Sequence, residues 1–274
     1  MSRRIAVLGC GTMAGAIVSG LLAAGTDSSS IIATARSSAS LERIRSTLGV
    51  TASSDNRSAV QGARIVLLGV KPAMAGAVLA EVADALEPGT VIISIAAGVS
   101  TTSLSGALAG AGAPEGLPVV RVMPNTPVKV GQGTFIVSAA AGAQAAAEQV
   151  RELLAPLGTV VELPETLHDA ATAISGSGPA YIFLVAEAMI DAGVTLGIPR
   201  AQASELTIAT MAGSASLMAR TSEHPAALRN AVTSPGGSTA AALDQLESHR
   251  VRTAFARAIE ACCLKAAQLG EGPH

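Results

Sequence analysis

Aromatic residues are nearly absent from this 274-residue chain: no Trp, one Tyr (Tyr181) and three Phe. Its core must therefore be assembled from Ala, Val, Leu and Ile, and Ala-rich helices can approach one another closely. Charge is also scarce, at 14 % of residues with a formal net charge of −2, so no basic stripe exists for nucleic acid. Cysteine is limited to Cys10, Cys262 and Cys263. These have neither the spacing of a disulfide framework nor that of a metal site, so no metal is expected, and a reducing, cytoplasmic setting is the simple expectation. Long runs of large apolar side chains are missing too, which predicts no membrane span. The N-terminal Arg3-Arg4-Ile5-Ala6-Val7-Leu8-Gly9 is strand-length and ends at once in glycine, unlike a signal peptide.

What is present is apolar: 49 % of the chain, enough to bury a large core. Up to about residue 160, continuous apolar runs alternate with helical segments. Strands are expected at Arg4–Leu8, Ile31–Ala35, Ile65–Gly69, Val91–Ile95, Val119–Met123, Thr134–Ser138 and Thr159–Glu162. Helices are expected at Ala14–Ala24, Leu41–Leu48, Ala73–Ala83, Ser103–Ala109 and Ala143–Leu154. Strands apolar on both faces belong to a covered parallel sheet, and the strand–helix repeat predicts right-handed βαβ units. Beyond Leu163-Pro164-Glu165 the pattern is helical only, with Pro179, Pro199 and Pro225 suited to first turns. The expected fold is α/β: a Rossmann-type doubly wound sheet over 1–163, then an all-α domain over 164–274.

Gly9-Cys10-Gly11-Thr12-Met13-Ala14 follows the first strand and opens the first helix, giving G-x-G-x-x-A. In this arrangement the first Gly permits the turn and the second admits a pyrophosphate. The small last residue lets helix and strand pack, and the helix start offers free N–H groups. The alternative is a tight βα turn with no ligand. The second strand ends Thr34-Ala35-Arg36-Ser37-Ser38, without the acid that holds the ribose hydroxyls of NAD. Arg36 instead suits a 2′-phosphate, so NADPH is the expected cofactor and NADH a weaker one; a merely solvated Arg36 is the alternative. The loops Val70-Lys71-Pro72 and Ala96-Ala97-Gly98 follow the third and fourth strands, at the edge where open sheets bind ligands.

In the helical half, Val232-Thr233-Ser234-Pro235-Gly236-Gly237-Ser238-Thr239 precedes the helix Ala240–Leu246. Glycines beside hydroxyl residues at a helix start form an anion nest suited to a carboxylate. Taken alone, an ordinary loop with Ser238 as N-cap is the stronger reading.

The segment Pro225–Leu246, centred on that loop, resembles the signature of the pyrroline-5-carboxylate reductase family. Val70-Lys71-Pro72, Met123-Pro124-Asn125-Thr126-Pro127 and Ile174-Ser175-Gly176-Ser177-Gly178-Pro179-Ala180-Tyr181 match the same family in order, so the resemblance spans nearly the whole chain. It implies NADPH-dependent hydride transfer to Δ1-pyrroline-5-carboxylate, giving L-proline as the last step of proline biosynthesis. It implies that Asn56 touches the adenosine portion of the cofactor, and that Ser234, Gly236, Gly237 and Ser238 bind the substrate carboxylate. Thr239 would face the ring nitrogen, and Ser175–Pro179 would lie near the nicotinamide. It further implies self-association as a dimer, often built into decamers. Several relatives carry another small residue at Ser238, which points to its N–H and not its side chain. Two rivals stay open: a β-hydroxyacid dehydrogenase, for which Lys265 is the only lysine of the helical half, and a non-catalytic NADPH-binding module.

Overall fold

A computed structural model of the chain describes residues 4–270. Eight strands form one sheet in the order β3-β2-β1-β4-β5-β6-β7-β8. They are β1 (Ile5–Leu8), β2 (Ile31–Thr34), β3 (Thr51–Ser53), β4 (Ile65–Leu68), β5 (Val91–Ser94), β6 (Val119–Pro124), β7 (Gly133–Ala139) and β8 (Gly158–Glu162). The helices of this part are α1 (Thr12–Ala23), α2 (Ser38–Leu48), α3 (Asn56–Val60), α4 (Ala75–Val82), α5 (Thr101–Gly110) and α6 (Gln144–Leu154). Strands β1 to β6 are parallel in the doubly wound order.

Two elements were hidden in the sequence. Strand β3 has three small residues at a sheet edge and no apolar run, and α3 is only five residues long. β7 pairs antiparallel with β6, because only the short turn Thr126–Val130 and its flanks connect them. A parallel return needs a crossover of a dozen residues or more.

Alternate strand residues feed two cores. Ile5 and Val7 point to the face holding Ile17, Leu21, Ile44, Val150 and Leu154, while Ala6 and Leu8 join Val60, Leu79, Val82, Leu104 and Leu108. Both faces of β1 are thus fully covered, which explains why its sequence is unbroken apolar instead of alternating. Burial of each large side chain contributes about 1.5–3 kcal/mol, and truncating Leu79 to Ala would cost about 2–5 kcal/mol.

The rest is helical: α7 (His168–Ala171), a π-helical turn (Thr172–Gly176), α8 (Gly178–Thr195), α9 (Arg200–Thr221), α10 (Pro225–Ala231), α11 (Ser238–Ser248) and α12 (Val251–Gly270). Contacts divide the chain into two compact units, Met1–Ser177 with Cys262–His274, and Gly178–Ala261. The change of element type at Leu163-Pro164 and this division differ because residues 165–177, though helical, are bonded to the sheet. The second unit is built on α8 and α9, where Gly193 lets Ala203 approach closely. It buries few side chains, and Phe183 and Leu184 are 64 % and 66 % exposed. Residues 165–195, which contain an 18-residue window of mean hydropathy 1.4, are long and apolar enough to cross a membrane by length and composition alone.

Candidate active site

The glycine loop sits where β1 ends. Gly9 has φ +80°, and a Cβ there would lie 2.5 Å from Val70 Cγ1. Ala14, the last position of the fingerprint, packs under Gly69, whose own Cβ would meet the Ala14 Cβ at 2.7 Å. Gly11 has no atom within 4 Å of its Cβ direction, so open space lies before it. The N–H groups of Gly9, Cys10 and Gly11 are engaged with Thr34 Oγ1, the Thr34 carbonyl and the Gly9 carbonyl. The free donors are those of Thr12, Met13 and Ala14, ahead of the first intrahelical bond from Gly15 to Gly11, and Gly11 carries no side chain to cap them.

A cleft of about 410 Å³ opens there, lined by Gly9, Cys10, Gly11, Arg36, Asn56, Val70 and Lys71 among others. Seven of the residues singled out in the sequence thus meet around one space. Arg36 is exposed and makes no hydrogen bond or ion pair among the described residues. Free helix-start donors, open space at Gly11 and an unengaged guanidinium fit a phosphorylated dinucleotide. Pro72 lies beyond, opening a short 3₁₀ turn, and Ala96 is buried.

The sequence did not single out Thr34, Arg43 or Glu81, which also line the cleft. Thr34 accepts from the Gly9 N–H at 3.1 Å and donates to Asn56 Oδ1 at 2.7 Å; Asn56 Nδ2 donates to the Glu81 carboxylate at 3.2 Å. Asn56 is held by side chains 22 and 25 residues away, a link that no local pattern reveals. Burial pushes the Cys10 thiol up, against a smaller opposing pull from Arg43, so it stays protonated at neutral pH.

Ala97 and Gly98 border a separate hollow of about 190 Å³ with Asp169, Thr172, Ser177 and Lys265. Behind it lies a buried polar cluster. Arg121 of β6 bonds Glu165 at 3.3 Å and Asp169 at 3.2 Å, while Glu165 also accepts from the Thr101 hydroxyl at 2.6 Å. Burial works to raise the Glu165 carboxyl, but bonds from Thr101 and Arg121 outweigh it and leave it below the usual range. His168 is 1 % exposed with Nδ1 3.0 Å from Ser138 Oγ. Burial first, and Arg121 second, bring its pKa down to about 4.

In the helical unit, Gly237 and not Ser238 is the N-cap of α11, with no side-chain cap bond. Gly236 takes φ +68° to make the turn, and the Gly237 N–H is already bonded to the Ser234 carbonyl at 3.0 Å. The donors left for an anion are therefore the N–H groups of Ser238, Thr239 and Ala240, before the Ala241 bond to Gly237. The hydroxyls of Ser234, Ser238 and Thr239 carry no hydrogen bond among the described residues, and Thr239 is half-buried.

A doubly wound sheet with this cleft, followed by a helical part, defines a dinucleotide-dependent oxidoreductase. Residues 4–98 match the family described as NADP oxidoreductase, coenzyme F420-dependent, and residues 165–269 match pyrroline-5-carboxylate reductase dimerisation. The chain is 43 % identical to the pyrroline-5-carboxylate reductase of Corynebacterium melassecola, over 97 % of this chain and 98 % of that one. Among solved structures it is similar to a pyrroline-5-carboxylate reductase from Coxiella burnetii (34 % identity, TM-score 0.89, 98 % and 99 % covered). It is also similar to the Plasmodium falciparum pyrroline carboxylate reductase with NADP bound (29 %, TM-score 0.86, 97 % and 98 % covered). The chain belongs to the pyrroline-5-carboxylate reductase family. Identity at this level over nearly the full length sets the β-hydroxyacid dehydrogenase rival aside.

Proposed function

We propose that this chain reduces Δ1-pyrroline-5-carboxylate to L-proline with NADPH, closing proline biosynthesis in the cytoplasm. Residues 1–163 hold the cofactor, and 164–274 hold the substrate and the self-association surface, as a dimer or a decamer built of five dimers. The free N–H groups of Thr12, Met13 and Ala14 take the pyrophosphate; Arg36 takes the 2′-phosphate, so NADH serves less well. Asn56 meets the adenosine portion, and Val70, Lys71, Pro72, Ala96 and Ala97 border the path towards the nicotinamide.

The observation that carries the reading is the start of α11, where three N–H groups and the Thr239 hydroxyl are left without partners among the described residues. They hold the substrate carboxylate and turn the ring nitrogen towards Thr239. The bound cofactor would supply a hydride to the imine carbon of the ring, the one remote from the carboxylate, which becomes C5 of proline, while the protonated nitrogen keeps its proton and becomes the secondary amine. A protonated imine accepts hydride readily, so the chain has to orient the ring and clamp its carboxylate more than donate a proton. A hydroxyl is a weak acid; Thr239 holds the nitrogen's proton in place by hydrogen bonding.

The test is loss of NADPH absorbance with pyrroline-5-carboxylate beside a panel of keto acids, and NADP⁺ reduction with hydroxy acids. Turnover confined to the cyclic imine supports the reading; faster turnover of a keto or hydroxy acid overturns it.

A further inference from the structure

Six of the eleven buried polar side chains among the described residues gather where residues 165–177 meet the sheet: Thr101, Arg121, Asn125, Ser138, His168 and Thr172. Burying polar groups brings little net stability, so their concentration at one seat points to placement of that segment. The segment runs alongside β6. Arg121 holds its beginning through Glu165 and Asp169, and four residues on, Asn125 holds its end.

Asn125 is 7 % exposed and uses both ends of its amide. Its Oδ1 accepts from the Thr134 N–H at 2.8 Å, and its Nδ2 donates to the Ser175 carbonyl at 3.1 Å. Ser175 belongs to the π-helical turn, closed by the Ser177 N–H donating to the Thr172 carbonyl at 3.0 Å. Such turns recur at functional sites because they displace backbone from the regular helix. The turn is pressed onto β6: a Cβ on Gly176 would lie 3.2 Å from Met123 Cε and 3.1 Å from Thr172 Cγ2. Thr172 and Ser177, at its two ends, face the hollow shared with Ala97 and Gly98.

We propose that Asn125 is a positioning residue for hydride transfer: through the Ser175 carbonyl it sets the π-turn as the wall facing Ala97-Gly98, where the nicotinamide lies. This rests on the reading under Proposed function that the Ala97-Gly98 loop receives that end of the cofactor. It joins Met123-Pro124-Asn125 and Ser175-Gly176-Ser177, far apart in sequence, as two halves of one latch. Asn125 touches neither cofactor nor substrate in this scheme; it acts through the turn.

Asn125→Asp keeps the acceptor for Thr134 but turns an oxygen towards the Ser175 carbonyl, so it opens the latch selectively. Gly176→Ala shifts the same turn by a few tenths of an ångström from the other side and is the milder variant. For folded Asn125→Asp, kcat should fall about 10- to 100-fold, as misplacement by about 1 Å does, and for Gly176→Ala it should fall in the same direction by less. The primary isotope effect on kcat with 4-deuterated NADPH should rise, and emission of bound NADPH, which reports the nicotinamide surroundings, should change. The NADPH Kd, read from the same emission titration, should move less than about threefold, because the phosphate donors of α1 are untouched. A lowered melting temperature with kcat, isotope effect and emission all as wild type overturns the proposal. If wild type fails to turn over pyrroline-5-carboxylate, the functional reading falls alone; unchanged emission in the variants still overturns the role of Asn125.

Discussion

The Arg43 guanidinium donates to the Cys10 carbonyl at 3.2 Å, tying α2 to the glycine loop across the cofactor cleft. Arg36, seven residues earlier on the rim of the same cleft, has no such tie. The two arginines carry the same charge and do different things. One braces the backbone of the glycine loop, and the other stands unengaged on the rim, where the proposed function gives it the 2′-phosphate of NADPH.

Arg36→Ala should therefore raise the KM for NADPH while leaving that for NADH nearly unchanged. A charge-assisted bond is worth about 1.5–3 kcal/mol, or about 10- to 150-fold. Arg43→Ala should raise both constants together by loosening the loop. Steady-state kinetics of both variants with both cofactors check this, and equal loss of the two cofactors in Arg36→Ala would remove that residue from phosphate recognition.

The sheet and the glycine loop were legible because both depend on local pattern: continuous apolar strands, and glycines at a strand–helix junction. β3 and α3 were not, since Thr51-Ala52-Ser53 and Asn56–Val60 are held by neighbouring elements and not by their own periodicity. At the site, Arg36 could be read as a residue following a strand. Glu81 and Arg43 lie mid-helix among ordinary surface charges, and only the fold turns them to the cleft. The turn into α11 at Ser234–Thr239 was readable in outline, but the engagement of the Gly237 N–H by Ser234 depends on backbone geometry that sequence does not carry.

The helical part should associate with a second copy, since α8 leaves Phe183 and Leu184 exposed and the matched family region is one of dimerisation. Leu184→Glu would bury a charge in such an interface. Light scattering should find wild type no smaller than a dimer and the variant shifted towards monomer, with activity lost in parallel. A stable, active wild-type monomer at working concentration would contradict this.

Acid should weaken the fold in two steps. His168 is neutral when buried, with a pKa of about 4 against an ordinary 6.5. Between these values the unfolded chain binds the extra proton, so stability falls as pH drops from about 6.5 to 4, by up to about 1.4 kcal/mol per unit. Glu165, held below its ordinary value, loses its contribution only at lower pH, as it protonates through its folded pKa. Urea unfolding of wild type and His168→Asn at pH 7 and pH 5 separates the steps. The variant should lose the slope between those two values; an unchanged slope would mean that His168 does not set it.

Thr239 separates catalysis from helix capping. Gly237 caps α11 without a side-chain bond, so Thr239→Ala removes no cap and should leave the melting temperature unchanged or slightly raised, Ala being the better helix former. The N–H groups of Ser238, position 239 and Ala240 stay in place, so the carboxylate clamp persists and binding of L-proline should weaken only modestly. The hydroxyl is assigned to the ring nitrogen, where the charge on the imine disappears as the hydride arrives. An interaction that changes with the reaction acts on the barrier more than on binding. Its loss should therefore fall on kcat, by about one to three powers of ten, or about 1.4–4 kcal/mol. Thr239→Ser restores a hydroxyl at the same carbon and should recover most of the rate. Melting temperature, proline affinity and kcat measured on one preparation of each variant decide the matter: wild-type kcat in Thr239→Ala would end the assignment, and a loss that Ser does not rescue would transfer it from the hydroxyl to the packing of the methyl group.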